Sequence, residues 1–272
     1  MSAPSNQVQT IEADDAIDQI KSDLKGMHTF LAGSAVAAQH HSLPYSWSDI
    51  DVFCPTAHVL VAAGQKLIDR GYTLDDRFKR VWERWLRYGF KNWHTNSLRL
   101  VSPGGVETNL VFKTTEGHAA TSLAEVIESF DFGLLCRGYD LETGTYRDMQ
   151  SYLFTDVRYR DPWVSLPMMP SKRANWRQGF ISEYNGMREF GRFAKYSLYG
   201  YDMSAVQDDL ATGYFEAAVY MANHFDPDKQ KRGQIYELIG TKIQAGDVAD
   251  LAATAKQIDY KDSLDAIMEA LE

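Results

Sequence analysis

Two aspartates, Asp49 and Asp51, are the residues whose type and spacing point most directly to chemistry. They alternate with Ile50 and Val52 in a short run, which is the pattern of a strand with one buried face. Because side chains alternate between the two faces of a strand, both carboxylates are expected on one side and both apolar side chains in the core. Two carboxylates on one face form a site for a hard divalent cation such as Mg²⁺ or Mn²⁺.

Gly33 and Ser34 follow a short apolar run at residues 29–32 and supply the second part of the candidate site. A glycine turn lacks bulk, and the N–H groups and dipole of a helix that begins there would face an anion, most naturally a polyphosphate. Carboxylates that hold a metal beside a phosphate cradle are the components of phosphoryl and nucleotidyl transfer. The alternative is an ordinary turn followed by a strand whose aspartates lie at the surface.

The two parts together resemble the signature of the DNA polymerase beta-like nucleotidyltransferases, in which an apolar-Gly-Ser turn precedes an Asp-apolar-Asp strand. Fourteen residues separate Ser34 from Asp49. The resemblance implies transfer of a nucleoside monophosphate from a nucleoside triphosphate to an acceptor hydroxyl, with release of pyrophosphate. It also implies that Asp49 and Asp51 bind Mg²⁺ or Mn²⁺, and that Gly33 and Ser34 hold the β and γ phosphates.

Active members of that superfamily carry one more acid on a neighbouring strand. Residues 97–101 and 106–112, joined by the turn residues Pro103, Gly104 and Gly105, are predicted to form a hairpin. The run at residues 106–111 is expected to be the strand that carries the acid, with Glu107 and Asn109 on one face. Asn109 stands in the register of the family's acid, and an amide is a much poorer metal ligand than a carboxylate. Glu107, one pleat earlier, and Asp131, in a separate segment, are the two candidates for the missing catalytic carboxylate.

A narrower resemblance links residues 130–140 and 192–201 to poorly characterised nucleotidyltransferase-like proteins of phages, large DNA viruses and some ankyrin-repeat proteins. The chain departs from their pattern at Gly133, where a second acid would stand, and at Tyr199, where a second arginine would stand. The resemblance raises the possibility of a phage or viral origin.

Arg188, Arg192 and Lys195 are spaced four and three residues apart, so they would form one basic stripe on a helix. Arg192 and Lys195 are candidate nucleotide-binding residues, because such a stripe can contact a triphosphate or a nucleic-acid backbone. The alternative is that the stripe pairs with the acidic C-terminal segment, whose seven acids are Asp247, Asp250, Asp259, Asp262, Asp265, Glu269 and Glu272.

The composition is that of an ordinary globular protein, with 44% hydrophobic and 24% charged residues. The net charge of -9 argues against a protein that coats nucleic acid through bulk charge. No run is long enough to span a membrane and no signal peptide is evident, so we expect a cytosolic protein, in the host cytoplasm if it is viral.

The arginine-rich segment at residues 77–91 fits either a helix or a strand, and its basic residues 77, 80, 84, 87 and 91 would line one face of a helix. The other side of that helix would then carry Phe78, Val81, Trp82, Trp85 and Leu86. The basic face is either solvated or a contact for nucleic acid or triphosphate.

Helix and strand patterns mix over the first 150 residues, whereas the pattern from about residue 163 onward is helical. The predicted fold is therefore α+β: a polymerase beta-like mixed sheet with flanking helices in residues 1–160, followed by an all-helical domain in residues 161–272. The active site is expected in the cleft between them. Predicted helices cover residues 14–24, 58–69, 122–128, 174–199, 203–224, 230–244 and 248–271, and predicted strands cover 48–53, 97–101, 106–112, 132–139 and 145–149.

The predicted function is metal-dependent nucleotidyl transfer to an acceptor that remains open: an RNA or tRNA end, a protein or a small molecule. A catalytically inactive binding or regulatory protein on the same fold is the alternative, favoured by Asn109 and Gly133. A third possibility is an interaction protein that works through its acidic C-terminal segment.

Overall fold

The structure is a computed structural model that describes residues 13–41, 49–88, 97–112, 114–115, 118–130, 132–148, 183–258 and 263–271. Its elements in chain order are α1 Ala13–Asp23, β1 Phe30–Ala32, α2 Ser34–His41, β2 Asp49–Phe53, α3 Ala57–Asp69, β3 Thr73–Leu74, α4 Asp76–Tyr88, β4 Ser97–Val101, β5 Glu107–Val111, β6 Thr114–Thr115, β7 His118–Ala119, α5 Leu123–Glu128, a 3₁₀ turn Gly133–Leu135, β8 Arg137–Asp140, β9 Tyr146–Asp148, α6 Glu183–Leu198, α7 Ser204–Ala222, α8 Pro227–Ala245, α9 Val248–Gln257 and α10 Leu264–Leu271.

Seven of the strands that the structure describes form one mixed sheet in the order β3-β4-β5-β2-β1-β8-β9. Strand β2 lies in the middle, antiparallel to β1 and parallel to β5. Strands β4 and β5 form the antiparallel hairpin that the sequence predicts. Because β2 and β5 run in the same direction, the residues of the two strands lie side by side in a fixed register.

One face of this sheet is covered by the hydrophobic core of the first part of the chain. Alternate residues of β2, β4 and β5 are buried on that face, as a period of two requires. Helices α1, α2, α3 and α4 supply the opposing apolar side chains. The central members of this core are Ile17, Ile20, Leu24, Leu31, Val36, Ile50, Val52, Leu60, Leu67, Trp82, Trp85, Leu98, Leu100 and Leu110.

Local signals position the helices that cover the sheet. Thr56 caps α3, since its side chain accepts a hydrogen bond from the Val59 N–H at 3.1 Å. Gly71, with a φ of 90°, follows the end of the same helix. The arginine-rich segment, which the sequence assigns to neither helix nor strand, is helix α4. The expectation that Leu86 lies on its apolar side is wrong, because this side chain is 55% exposed.

Two further element predictions need correction. The predicted strand at residues 132–139 begins only at Arg137, because the 3₁₀ turn Gly133–Leu135 precedes it. The single helix predicted over residues 248–271 is two helices, α9 and α10. Residues 259–262, which separate them, lie outside the described residues.

The chain divides into two compact units, one made of Met1–Phe130 and Leu135–Tyr152 and the other of Asp131–Leu134 and Leu153–Glu272. The predicted boundary at residue 160 lies outside the described residues and stays a prediction. In the second unit, α7 and α8 pack together through buried side chains that include Tyr214, Tyr236 and Ile239. None of the helices that the structure describes combines the length and apolar character needed to cross a membrane.

Candidate functional site

Strand β2 presents Asp49 and Asp51 on one face of the sheet. Both aspartates are half-buried, whereas Ile50 and Val52 on the opposite face are 1% and 0% exposed. The two apolar side chains fix the strand in its register, because a slip by one residue would bury the carboxylates. The alternation read from the sequence therefore describes the geometry of this strand.

The parallel neighbour β5 brings two more polar side chains to the same face. Glu107 lies opposite Asp49 in the ladder, and Asn109 lies opposite Asp51. Asn109 thus occupies the position next to the Asp pair at which the superfamily resemblance places an acid.

The Asn109 amide bridges the two aspartates. Its Nδ2 group donates hydrogen bonds to Oδ2 of Asp49 at 2.5 Å and to Oδ1 of Asp51 at 3.1 Å. Its Oδ1 accepts a hydrogen bond from Nε of Arg99 at 3.2 Å. Carboxylates only accept and a guanidinium only donates, so this network requires the amide nitrogen to face the aspartates.

Arg99 also holds Glu107. Its Nη1 atom lies 3.1 Å from Oε2 of Glu107, in an ion pair whose two side chains are 31% and 42% exposed. Glu107, one of the two predicted catalytic carboxylates, is therefore on the face of the Asp pair but bound to an arginine. Asp131, the other candidate, lies outside the described residues.

The polar face of β2 and β5 offers two of the carboxylate ligands that a hard divalent cation prefers. The side chains of Asp49 and Asp51 are adjacent carboxylates, which is what Mg²⁺ and Mn²⁺ prefer. Within the described ranges, no group of three His, Cys, Asp or Glu side chains is arranged to hold a metal ion. Asp49 and Asp51 therefore fit as a two-carboxylate ligand set, and Asn109 provides an amide where a third acid would stand.

The Gly33 turn lies against the Asp pair. Gly33 has a φ of 100°, and a Cβ atom built on it would be 3.7 Å from Oδ2 of Asp51 and 3.9 Å from the Phe130 ring. Helix α2 begins at Ser34, directly after this glycine, so its first backbone N–H groups begin beside the Asp pair. The structure thus brings Gly33, Ser34, Asp49 and Asp51 together in one small region.

Arg192 and Lys195 lie on α6 in the second unit. The Arg192 guanidinium is 5.1 Å from the centre of the Phe132 ring, and Nζ of Lys195 is 5.6 Å and 5.7 Å from the Tyr196 and Tyr199 rings. Contacts of this kind hold a basic side chain against an aromatic surface. The role of both residues toward a nucleotide stays a prediction.

Some acids of the C-terminal segment pair with lysines of α8. Asp250 lies 3.0 Å from Nζ of Lys242, and Asp265 pairs with Lys231. At least these two carboxylates of the acidic segment therefore form ion pairs within the helical unit.

Sequence reasoning missed Arg99 as a member of this site. The available signal was the turn at Ser102, where the Ser102 N–H donates to the Val106 carbonyl at 2.9 Å and closes the β4–β5 hairpin. Counting outward from that turn pairs Arg99 with Asn109 across the two strands. The cross-strand neighbour of a candidate site residue was thus accessible from a predicted hairpin.

This sheet with its flanking helices, followed by a helical region, is a nucleotidyltransferase-like α+β fold. The chain is similar to the Bacillus stearothermophilus CCA-adding enzyme in complex with CTP, at a TM-score of 0.51 and 14% identity over 93% of this chain and 54% of that chain. The chain thus spans about half the length of that enzyme. It is also similar to the Thermotoga maritima CCA-adding enzyme complexed with tRNA, at a TM-score of 0.40 and 10% identity over 94% and 62% of the two chains. No protein-family model and no curated protein matches the sequence.

Proposed function

We propose that this protein is a metal-dependent nucleotidyltransferase that moves a nucleoside monophosphate from a nucleoside triphosphate to an acceptor hydroxyl. The observation that carries the proposal is the close approach of Gly33 to Asp51, with 3.7 Å between a Cβ built on the glycine and the carboxylate oxygen. A triphosphate bound at the glycine turn would have its charged oxygens next to the Asp49 and Asp51 pair. The fold shared with a CCA-adding enzyme supports the same reaction class.

Asp49 and Asp51 would hold Mg²⁺ or Mn²⁺, which supplies neutralisation of triphosphate charge and a lower pKa for a coordinated hydroxyl. The chain's own part is to fix both carboxylates on a strand that Ile50 and Val52 anchor in the core. A strand anchored in this way presents the two carboxylates without a further ordering cost when substrate binds.

The turn at Gly33 and the start of α2 would bind the β and γ phosphates. The first N–H groups of a helix have no partner within it, and the helix dipole is positive at that end. Gly33 lets the backbone approach the phosphates without a side chain, and the Ser34 hydroxyl can donate a further hydrogen bond. Arg192 and Lys195 are proposed to add positive charge toward the nucleotide or a nucleic-acid backbone.

In the proposed reaction the acceptor oxygen attacks the α phosphorus, and the bond from this phosphorus to the bridging oxygen of the β phosphate breaks. Pyrophosphate leaves, and the acceptor's proton must pass to a base. Glu107 and Asp131 are the proposed candidates for that base. Glu107 would have to exchange its ion pair with Arg99 for a contact with the acceptor.

The proposed acceptor to test first is the terminal hydroxyl of an RNA, because a CCA-adding enzyme is among the solved structures that this chain resembles. A protein or a small molecule is the other proposed class of acceptor, because a net charge of -9 disfavours binding to a long nucleic acid. A nucleic-acid end needs only a local basic surface, which Arg80 and Arg84 on α4 could supply, since both are exposed.

A second candidate function is a catalytically inactive protein that binds nucleotide on the same fold. The specific observation in its favour is the Asn109 amide, which donates to both aspartates where a third acid would stand. Such a protein would bind a triphosphate without turning it over.

The test is incubation of the purified protein with each α-phosphate-labelled nucleoside triphosphate and Mg²⁺, with and without total cellular RNA. The matched control is the double variant Asp49→Ala, Asp51→Ala, shown by circular dichroism to be folded. Label transferred to RNA, protein or a small molecule by the wild type alone supports the proposal and identifies the acceptor class. Equal transfer by the double variant contradicts the mechanism, and binding without transfer favours the inactive protein.

A further inference from the structure

The side-chain amide of Asn109 is held at both of its ends. Its nitrogen donates to Oδ2 of Asp49 and to Oδ1 of Asp51, and its oxygen accepts from Nε of Arg99. A carboxylate only accepts and a guanidinium only donates, so all three contacts favour the same orientation of the amide. The nitrogen therefore faces the Asp pair and the oxygen faces the arginine.

In this orientation the amide uses the carboxylate oxygens that a shared cation needs. A divalent cation between the two aspartates takes an oxygen from each of them. The amide nitrogen contacts one oxygen of Asp49, at 2.5 Å, and one of Asp51, at 3.1 Å. The other oxygen of Asp51, Oδ2, is the one near Gly33. A cation that bridges Asp49 Oδ2 and Asp51 Oδ1 must displace the amide protons.

The opposite orientation of the amide would favour a cation. Oδ1 of Asn109 would then face the Asp pair and add a third oxygen, the kind of ligand that Mg²⁺ and Mn²⁺ prefer. The amide nitrogen would face Nε of Arg99, and two donors would oppose each other. Arg99 therefore disfavours the orientation in which Asn109 can serve as a ligand.

The Arg99 guanidinium is itself held in place. Its Nη1 atom lies 3.1 Å from Oε2 of Glu107, and its backbone carbonyl accepts a hydrogen bond from the Asp75 N–H at 3.1 Å. Strand β4 places it directly across from Asn109 in the antiparallel ladder. A planar guanidinium with two side-chain contacts has little freedom to turn its Nε–H away from the amide oxygen.

We propose that Arg99 is a positioning residue that lowers the affinity of the Asp pair for a divalent cation, by holding the Asn109 amide nitrogen on both carboxylates. Groups around a metal ligand set its orientation in this way. A triphosphate at the Gly33 turn would add oxygen ligands of its own, so the cation is expected to bind together with the nucleotide more readily than alone.

This inference rests on the proposed function only in taking Asp49 and Asp51 as the cation site. Its tests measure cation binding and hydrogen exchange, and label transfer from a triphosphate is measured separately. The two proposals can therefore fail independently.

The first test is the affinity for Mn²⁺ alone, measured from the electron paramagnetic resonance signal of the unbound ion. The variant carries Arg99→Met and Glu107→Gln, which remove the ion pair and leave the net charge unchanged. We expect it to bind Mn²⁺ about tenfold more tightly than the wild type, because the amide can turn without placing donor against donor. Binding that persists after Asp49→Ala, Asp51→Ala lies elsewhere and is subtracted. Equal or weaker binding by the variant would overturn the proposal.

The matched control repeats this comparison in proteins that carry Asn109→Ala. If Arg99 acts through the amide, the loss of the ion pair should then change the Mn²⁺ affinity by less than about twofold, because the two residues are coupled. A tenfold gain that persists without the amide would show that Arg99 acts on the carboxylates directly, and would overturn its assignment as a positioning residue.

A measurement on the wild type keeps the proposal testable if a variant fails to fold. NMR follows the hydrogen exchange of the Arg99 Nε–H as Mg²⁺ is added. We expect faster exchange as Mg²⁺ binds, because the amide oxygen that accepts this hydrogen turns away. Arg77 is the internal control, since its Nε–H donates to Oδ1 of Asp75 at 3.1 Å and should keep its rate. Unchanged exchange at Arg99 under saturating Mg²⁺ would overturn the proposal.

Discussion

Strands β2 and β5 have two faces that differ in what holds their side chains. On one face, Asp49, Asp51 and Asn109 are half-buried and are joined by hydrogen bonds. On the other, Val52 and Leu110 are fully buried among apolar neighbours. In these two strands the residues of one face contribute to the stability of the fold, and those of the other face form the candidate site. Substitutions at neighbouring positions should therefore differ in effect: on the apolar face they lower the free energy of unfolding, and on the polar face they lower activity.

Strand β5 contains one residue on each face that differs in chemical type from its neighbours there. Asn109 is the uncharged member of the polar face, where the superfamily resemblance expects an acid. Thr108 is the polar member of the apolar face, and it lines a cavity there.

The largest expected effect on the polar face comes from Gly33→Ala. A side chain at a φ of 100° strains the turn, and its Cβ would contact Asp51, so the rate of nucleotidyl transfer is expected to fall about 100-fold. Gly105→Ala is the control, because its φ of 83° imposes similar strain with no atom within 4 Å of the added Cβ. The measurement is the rate of label transfer by each variant, compared at the same concentration of folded protein. Equal losses of rate in both variants would show that the Gly33 turn is not part of the site.

The two faces are compared most directly by Leu110→Ala and Asn109→Ala. Removing the fully buried leucine is expected to lower the free energy of unfolding by about 2–5 kcal/mol, since it leaves a cavity in the core. Removing the half-exposed asparagine is expected to cost less than about 1 kcal/mol. Urea unfolding measures both, and a cost at Asn109 as large as that at Leu110 would contradict the separation by face.

Asn109→Asp sharpens the contrast between amide and acid. A third carboxylate beside Asp49 and Asp51 is expected to tighten Mg²⁺ binding about tenfold, because ligand charge sets the affinity for hard cations. The measurement is the rise of the thermal midpoint with Mg²⁺ concentration. Asn223→Asp, at the end of α7, adds the same charge in the helical unit and is the control. An identical Mg²⁺ response in wild type and Asn109→Asp would exclude this position from the metal site.

The smallest effect expected is a pH dependence at His28, whose ring contacts Phe30 on the polar face. Burial lowers the pKa of His28, but hydrogen bonds with the Thr121 carbonyl and with Glu142, at 2.7 Å, outweigh it, and the net shift is upward. Its stabilising contribution is therefore complete below the unfolded pKa of about 6.5 and is lost as the pH rises through the folded value.

Glu142→Gln should flatten this pH dependence of the unfolding midpoint. The effect is small because the His28 and Glu142 side chains are 47% and 49% exposed and solvent screens the pair. A wild-type midpoint that rises between pH 6 and pH 8, with no change in the variant, would reverse the assigned sign.

Local periodicity was enough to predict the central part of the site. The alternation around Asp49 and Asp51 correctly placed the carboxylates on one face and Ile50 and Val52 in the core. The hairpin of β4 and β5 was also predictable, because its turn residues follow and precede clear strand patterns.

The rest depends on contacts between segments distant in sequence. The parallel pairing that sets Asn109 beside Asp51 joins residues 58 positions apart, and no local pattern specifies it. Leu86 was expected on the apolar side of α4 but is 55% exposed, whereas Trp82 and Trp85 of the same helix are buried.

The central claim is that the Asp49 and Asp51 pair acts on a nucleoside triphosphate. The most direct measurement is the rate of pyrophosphate release from each triphosphate, with Mg²⁺ and total RNA, by the wild type and by Asp51→Asn. We expect release by the wild type and a rate at least about 100-fold lower in the variant, because the change removes a charge at the reacting phosphates while the size of the side chain is kept. Equal rates in two folded proteins would contradict it.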